Sequence, residues 1–598
     1  MKAEERWQAR FRAPRVTLPV WARQAPARSV YRSNASGAWE IYAWDRSDGS
    51  VRQVTSRPKG TAHGTIDPTG QWIWWFADTD GDEWGGWMRQ PFGGGPDEPI
   101  DLEPGHPAGI ALSATGDAVI GMARPGKGFT VSVVRPGSPA KVIYEHAEAA
   151  SVCSMSLDGS LVAINHSEHG DSRHPALRVI RQCGQVVGEL HDGPGKGIVG
   201  LGFSPVAGDR RLLALHERRG RREPLVWDPV SDDQREIWLP DPGEITADWY
   251  DDGRSLLVVR ANRARTHLHR YDLPGGVLTA IETKHGVIEA AAPRPDGSVE
   301  YSWSSGSHPP VIRSTNGQVV LGHGGPSSPP SVPVEDVDVD GPGGRIHALV
   351  SRPERGAGPY PTVFLLHGGP TSQDDDSFVP QVAAWVDHGF AVVRVNYRGS
   401  TGYGSAWRDA LAGEVGHIEL ADVTAVREAM IARGLADPER LVLAGSSWGG
   451  YLTLLGLGTQ PTVWSAGLAT VPIADHLATY EDEPESLRAY HRALLGGSPA
   501  EQPERYANCS PITYVDGVEA PVLILAGEND PRCPIRQIEG YVSRLAGRGH
   551  THEVYRYDAG HGSLVVSERI AQMAAQLDFV RRHIKPDGAG GAAHLHHD

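Results

Sequence analysis

The sequence predicts two domains of different grammar: an all-β array of about seven four-stranded blades, followed by a mainly parallel, doubly wound α/β sheet. Three observations carry this. The chain has 598 residues, and a single core rarely grows beyond about 300. Between residues 29 and 321 a turn glycine recurs at Gly70, Gly116, Gly159, Gly208, Gly253 and Gly297, roughly 45 residues apart, the period of one propeller blade. From 334 to 586 apolar strands alternate with amphipathic helices, as in TVFLLHGGP, FAVVRVNYRG and LADVTAVREAMIARG. That order builds a parallel sheet with helices on both faces.

Taken in chain order, residues 1–28 form an N-terminal extension free to pack back on the second domain. Residues 29–321 are the propeller. Its runs, such as IDPTGQWIWWF, MSLDGSLVAI, WYDDGRSLLVV and PRPDGSVEYSW, place a polar Asp or Gly turn just before an apolar strand. A lone blade leaves apolar faces open, so the repeats must stack into a ring. Six markers plus the earlier NASGAWEIYAW segment give about seven blades. Residues 322–333, GHGGPSSPPSVP, cannot hold ladder hydrogen bonds and read as a linker. Residues 334–586 are the α/β domain. The Gly/Ala-rich residues 587–598 read as a disordered tail.

Composition excludes several classes of function. A hydrophobic fraction of 39% with 17 Trp describes a folded chain, and 72 Gly with 46 Pro one rich in turns. A net charge of −16 argues against nucleic acid as a partner, because phosphate binding needs clustered Lys and Arg. Four Cys at these spacings fit neither a zinc site nor a disulfide framework. Reduced thiols and a cytoplasmic location are expected. No stretch reaches the roughly 18 apolar residues that span a bilayer, so no membrane association is expected. A homo-oligomer is compatible with all of this.

The chemistry is concentrated in LVLAGSSWGGYL, where Gly445, Ser447 and Gly449 satisfy G-x-S-x-G directly after a strand and before an apolar helix. A nucleophile elbow needs that strand-to-helix turn, and its glycines remove the Cβ atoms that would collide there. A serine hydroxyl is a weak nucleophile, so it needs a base and a carboxylate that orients the base. PVLILAGENDPRCP offers Glu528 and Asp530 after the next suitable strand, and Asp530 is the better placed because Pro531 turns the chain. The strand EVYRY then leads to His561, between two glycines. The order Ser, acid, His is that of an α/β-hydrolase. Oxyanion donors are expected from the backbone N–H of Trp448 and from the HGG loop His367 to Pro370.

Together HGGP at 367–370, NYRGSTGYG at 396–404, DPERLVLAGSSWGGY at 437–451, GENDPRCP at 527–534 and YDAGHG at 557–562 resemble the prolyl oligopeptidase family of serine peptidases. Within it the chain looks most like the acylaminoacyl peptidase and bacterial aminopeptidase branch. The resemblance implies a seven-bladed propeller over an α/β-hydrolase domain, the triad Ser447, Asp530 and His561, and Gly369 and Trp448 as oxyanion donors. It also suggests Tyr403 as an oxyanion donor, with a packed loop aromatic as the alternative, and Arg532 as a ligand for a substrate carbonyl, with a structural ion pair as the alternative. Acyl transfer of this kind requires no metal or organic cofactor. A propeller over the site would admit short peptides and exclude folded proteins.

An aminopeptidase must pair the substrate ammonium with a carboxylate, because an unpaired buried charge is too costly. DTDGDEWGGW supplies Glu83, and YEDEPES (480–486) a second acidic cluster. Val471, Tyr480 and Tyr490 fall in the segment that shapes the specificity pocket in relatives. The expected activity is release of N-terminal amino acids from short peptides. Removal of N-acylated residues is the alternative peptidase activity, and a carboxylesterase would share the same triad.

Overall fold

The computed structural model describes residues 3–321, 325–411 and 413–584. Seven four-stranded antiparallel sheets, each of consecutive strands, span 20–53, 64–99, 106–146, 150–190, 198–236, 244–281 and 287–321. They are blades 1 to 7. The six marker glycines all lie between the first and second strands of blades 2 to 7, with φ from +59° to +90°. A residue with a Cβ resists that conformation, which is why the marker is glycine each time.

Buried apolar clusters fill each seam from blade 1 through blade 7; Ile41 and Ala43 meet Ile73 and Trp75, for example, and Tyr250 and Leu257 meet Tyr301 and Trp303. Polar contacts close the ring between blades 7 and 1. Arg46 grips Glu300 through two bonds of 2.5 and 2.7 Å. Arg294 donates to the Pro26 carbonyl at 2.6 Å and lies over the Trp21 ring.

The structure moves one expected boundary. Residues 20–28, read from sequence as extension, form the three-residue strand Val20–Ala22 and the start of Ala25–Ser33 in blade 1. So short a strand, turned by Arg and Gln with no Gly or Asp marker, carries too little alternation to be seen. The helix Ala3–Arg12 packs on the α/β domain, with Trp7 fully buried in its core. Arg10, also buried, holds Asp387 and donates to the Pro329 and Pro330 carbonyls. The tail at 587–598 lies outside the described residues.

The α/β domain carries one eight-stranded sheet: β1 (Glu335–Gly341), β2 (Gly344–Ser351), β3 (Tyr360–Leu366), β4 (Ala391–Asn396), β5 (Ala436–Ser446), β6 (Ala466–Thr470), β7 (Val522–Gly527) and β8 (His552–Tyr557), in the spatial order β1-β2-β4-β3-β5-β6-β7-β8. From β4 to β8 all pairs are parallel. β4, Val522–Gly527 and much of β5 are buried on both faces, as central parallel strands are. Ligands in such sheets bind outside the carboxyl ends of the strands, and that edge faces the propeller.

The two domains meet through charges. Arg408 pairs with Glu217 of blade 5, both side chains nearly inaccessible to solvent (6% and 3%). Asp409 receives Arg173 at 2.8 Å and His174 at 3.2 Å from blade 4. Nearer the carboxyl end of β8, Lys59 pairs with Asp558 at 2.5 Å, and Asn529 donates to the Asp80 carbonyl at 3.0 Å.

Candidate active site

Ser447 sits alone between the end of β5 and the helix Trp448–Thr459, with φ +57° and ψ −117°. This left-handed strain in a residue with a side chain costs of order 1–3 kcal/mol and must be held by its surroundings. The holding contacts are explicit. Ser447 N–H donates to the Thr470 carbonyl at 2.9 Å, and its own carbonyl accepts from Tyr451 at 2.8 Å. A Cβ on Gly445 would lie 2.3 Å from the Gly449 carbonyl carbon, and one on Gly449 would lie 2.1 Å from the Leu366 carbonyl oxygen. Both flanking glycines are therefore demanded by packing as well as by the turn.

Asp530 follows β7 and is 5% exposed. Its Oδ1 accepts the backbone N–H groups of Arg532 at 2.8 Å and Cys533 at 3.0 Å. Its Oδ2 receives His561 Nδ1 at 2.8 Å. The loops carrying the two are tied by Glu528 N–H to Tyr557 O (3.0 Å) and Asn529 N–H to Ala559 O (3.1 Å). His561, Gly368 and Ser446 line one cavity of about 490 Å³. One donor atom each from Cys533, Asp530 and His561 lie within 4.8 Å of one another.

As the first helical residue, Trp448 has no intrahelical partner for its backbone N–H. Its indole Nε1 donates to Glu419 at 3.1 Å, and burial pushes the Glu419 carboxyl up to about 7. The HGGP loop lies beside the elbow: a Cβ on Gly368 would be 3.4 Å from the Ser447 Cβ, and Gly369 has φ +129°. His367, which burial holds neutral with its pKa pulled down to about 4, stacks on Tyr397 at 4.3 Å and bonds Ser400 at 2.9 Å. Those contacts fix the loop. The arrangement supplies a strained hydroxyl and an imidazole oriented by a buried carboxylate, two of the parts that acyl transfer requires.

Residues 376–587 match the prolyl oligopeptidase family. The match falls within the α/β domain. A peptidase of Bacillus subtilis (strain 168), YuxL, is 26% identical over 347 residues, covering 56% of this chain and 52% of the relative. The acylamino-acid-releasing enzyme of Arabidopsis thaliana is 33% identical over 195 residues, 32% of this chain and 26% of the relative. The matches thus span about half or less of these curated relatives. A solved puromycin hydrolase superposes with a TM-score of 0.83, covering 97% of both chains at 20% identity, a likeness of fold.

Around this core, two residues selected separately from the sequence meet across the domain interface. Arg532 Nε lies 2.8 Å from Glu83 Oε1. Glu83, in blade 2, has φ +59°. Its N–H donates to Asp78 at 3.1 Å and its carbonyl accepts from His106. The pair borders two interdomain cavities, of about 670 Å³ beside Trp87 and Leu487 and about 390 Å³ beside Asp78 and His561.

Tyr403 is a correction. Its hydroxyl is 2.6 Å from His347 Nδ1 and accepts from Asn396 Nδ2 at 2.8 Å, with His347 in turn on Asp336. A donor committed to His347 is not available to an oxyanion, so the packed-loop alternative holds. Val471, fully buried at φ +40°, directly follows β6 and packs on Tyr557 and Ala559. Tyr480 accepts from Arg492 at 3.3 Å and packs on Tyr506, and Tyr490 stands next to His491 on Glu485–Leu495.

Sequence reasoning passed over several neighbours. Cys533 read as an ordinary thiol, although it lies three residues beyond the acid. Glu483 was one member of an acidic cluster; the structure buries it and gives its carboxylate to His491 Nδ1 at 2.8 Å. His476 is wholly buried, with its ring 4.9 Å from Tyr451 and 6.0 Å from Trp448. No motif marks these last two.

Proposed function

We propose that this chain is a serine exopeptidase that hydrolyses short peptides from the N-terminus and releases N-terminal amino acids. The observations that carry the chemistry are the strained Ser447 at the strand-to-helix turn and the 2.8 Å His561–Asp530 pair. In this reading Ser447 Oγ attacks the scissile carbonyl as its proton passes to His561, and Asp530 stabilises the imidazolium. The backbone N–H groups of Gly369 and Trp448 receive the oxyanion. The proton then goes to the leaving amine, the C–N bond breaks, and water resolves the acyl-enzyme by the same route.

The direction of cleavage rests on Glu83, a propeller carboxylate in the cavity that His561 also lines. A substrate ammonium would displace Arg532 from it. Interdomain cavities of a few hundred Å³ suit short peptides. Four unpaired cysteines accord with a cytoplasmic setting.

Removal of N-acylated residues is the second reading. It is favoured by the Glu83–Arg532 pair, which leaves the carboxylate already neutralised, and by the name of the Arabidopsis thaliana relative. Comparing aminoacyl with N-acetyl-aminoacyl p-nitroanilides tests this. Turnover of the free-amine series is expected, whereas cleavage confined to the acetylated series would replace the first reading with the second. Hydrolysis of short esters alone would leave a carboxylesterase.

A further inference from the structure

We propose that Asp530, Cys533 and His561 form a binding site for a soft divalent cation, zinc or cadmium, and that occupancy shuts off the active site by capturing its imidazole. One carboxylate oxygen, one sulfur and one ring nitrogen lie within 4.8 Å of one another. Among the described residues this is the one place where three such donors converge so closely. Asp530 and Cys533 are buried, at 5% and 2% exposure.

The donor set suits the ion. Zinc takes thiolate at about 2.3 Å and imidazole or carboxylate at about 2.0–2.2 Å, and sites with three protein ligands keep a fourth position open. Tetrahedral geometry at those lengths puts donors roughly 3.3–3.7 Å apart, so the 2.8 Å Asp530–His561 pair would open slightly and the thiol, at most 4.8 Å from either donor, would close in. The scaffold around the site is fixed, because Asp530 Oδ1 already binds the N–H groups of Arg532 and Cys533.

Charge also balances. A coordinating thiol gives up its proton, so one thiolate and one carboxylate neutralise the two positive charges, and the displaced proton leaves to solvent. His561 binds as neutral imidazole. A ring held by the ion is withdrawn from its place beside the serine, which is the physical basis of the inhibition. Calcium and magnesium, which prefer oxygen donors, should be ineffective.

The test uses the full chain. Zinc chloride is titrated under a metal buffer into wild type, Cys533→Val and Cys533→Ala. Inhibition of wild type, reversed by a chelator, is expected, with the half-inhibiting free zinc at least tenfold higher in either Cys533 variant that folds. Binding is read independently of activity, so failure of the peptidase reading is distinguishable from failure of this one. Cadmium should give a thiolate charge-transfer band in wild type and Ser447→Ala that is lost from the Cys533 variants. X-ray absorption of wild type with one equivalent of zinc needs no variant and should show one sulfur in the first shell. Equal zinc sensitivity with and without the thiol, a cadmium band indifferent to Cys533, or a shell of nitrogen and oxygen alone would overturn the proposal.

Discussion

Replacing Glu83 by Gln keeps the shape of the side chain and removes its charge, which isolates the proposed ammonium contact. A hydrogen bond to a charged group contributes about 1.5–3 kcal/mol. The Glu83 side chain is 33% exposed, so solvent screening favours the lower end. About 1.5 kcal/mol corresponds to a loss of roughly tenfold in kcat/KM on an aminoacyl p-nitroanilide. The N-acetylated substrate has no ammonium to lose, and its kcat/KM should stay within about twofold. Folding should be unaffected, because an ion pair as open as Glu83–Arg532, at 33% and 51% exposure, is worth only about 0–1 kcal/mol. The assay is initial-rate kinetics on both series with a thermal melt as control. Equal losses on the two substrates, or none on the free amine, would refute the assignment of Glu83.

Asp530→Asn should keep the fold and lower kcat by about 10⁴-fold, since the amide no longer selects the tautomer that leaves the other ring nitrogen facing serine; a loss under tenfold would contradict the 2.8 Å pair's role. Gly560→Ala should cost at least about 100-fold in kcat, the scale of a 1 Å misplacement, because its Cβ would fall 1.6 Å from the Gly81 carbonyl oxygen of blade 2 and must push the His561 loop away; unchanged kinetics would show that this interface does not set the imidazole. Burial opposes the charged form of His174, but bonds to Asp171 and Asp409 outweigh it and push its pKa up to about 9. Raised above the ordinary value, its contribution to the domain interface is complete below about pH 6.5 and is lost as pH rises through about 9. Small-angle scattering between pH 7 and 10 should therefore show the domains loosening, and His174→Gln should abolish the step; a pH-independent profile in wild type would contradict it.

The fold was legible because both domains repeat a local rule. Each marker glycine sits in a turn that requires positive φ, and the elbow glycines in a turn that excludes Cβ. Residues 20–28 were hidden because a three-residue strand offers no period. At the site, Ser447, Asp530 and His561 could be placed by strand-end logic alone. The Glu83–Arg532 contact could not, because it depends on how blade 2 is set against β7 and β8, hundreds of residues away. Tyr403 misled for a related reason: a motif locates a side chain but not its partners, and His347 and Asn396 claim its hydroxyl. Burial of Glu483 inside an acidic run is likewise invisible to composition.

Treatment of the intact protein with a fluorophosphonate, followed by peptide mass spectrometry, asks most directly whether Ser447 is the activated hydroxyl. One adduct per chain on the peptide containing Ser447, with parallel loss of hydrolysis and labelling abolished in His561→Ala, is the predicted result. Modification of another residue with Ser447 untouched, or full activity in Ser447→Ala, would contradict it.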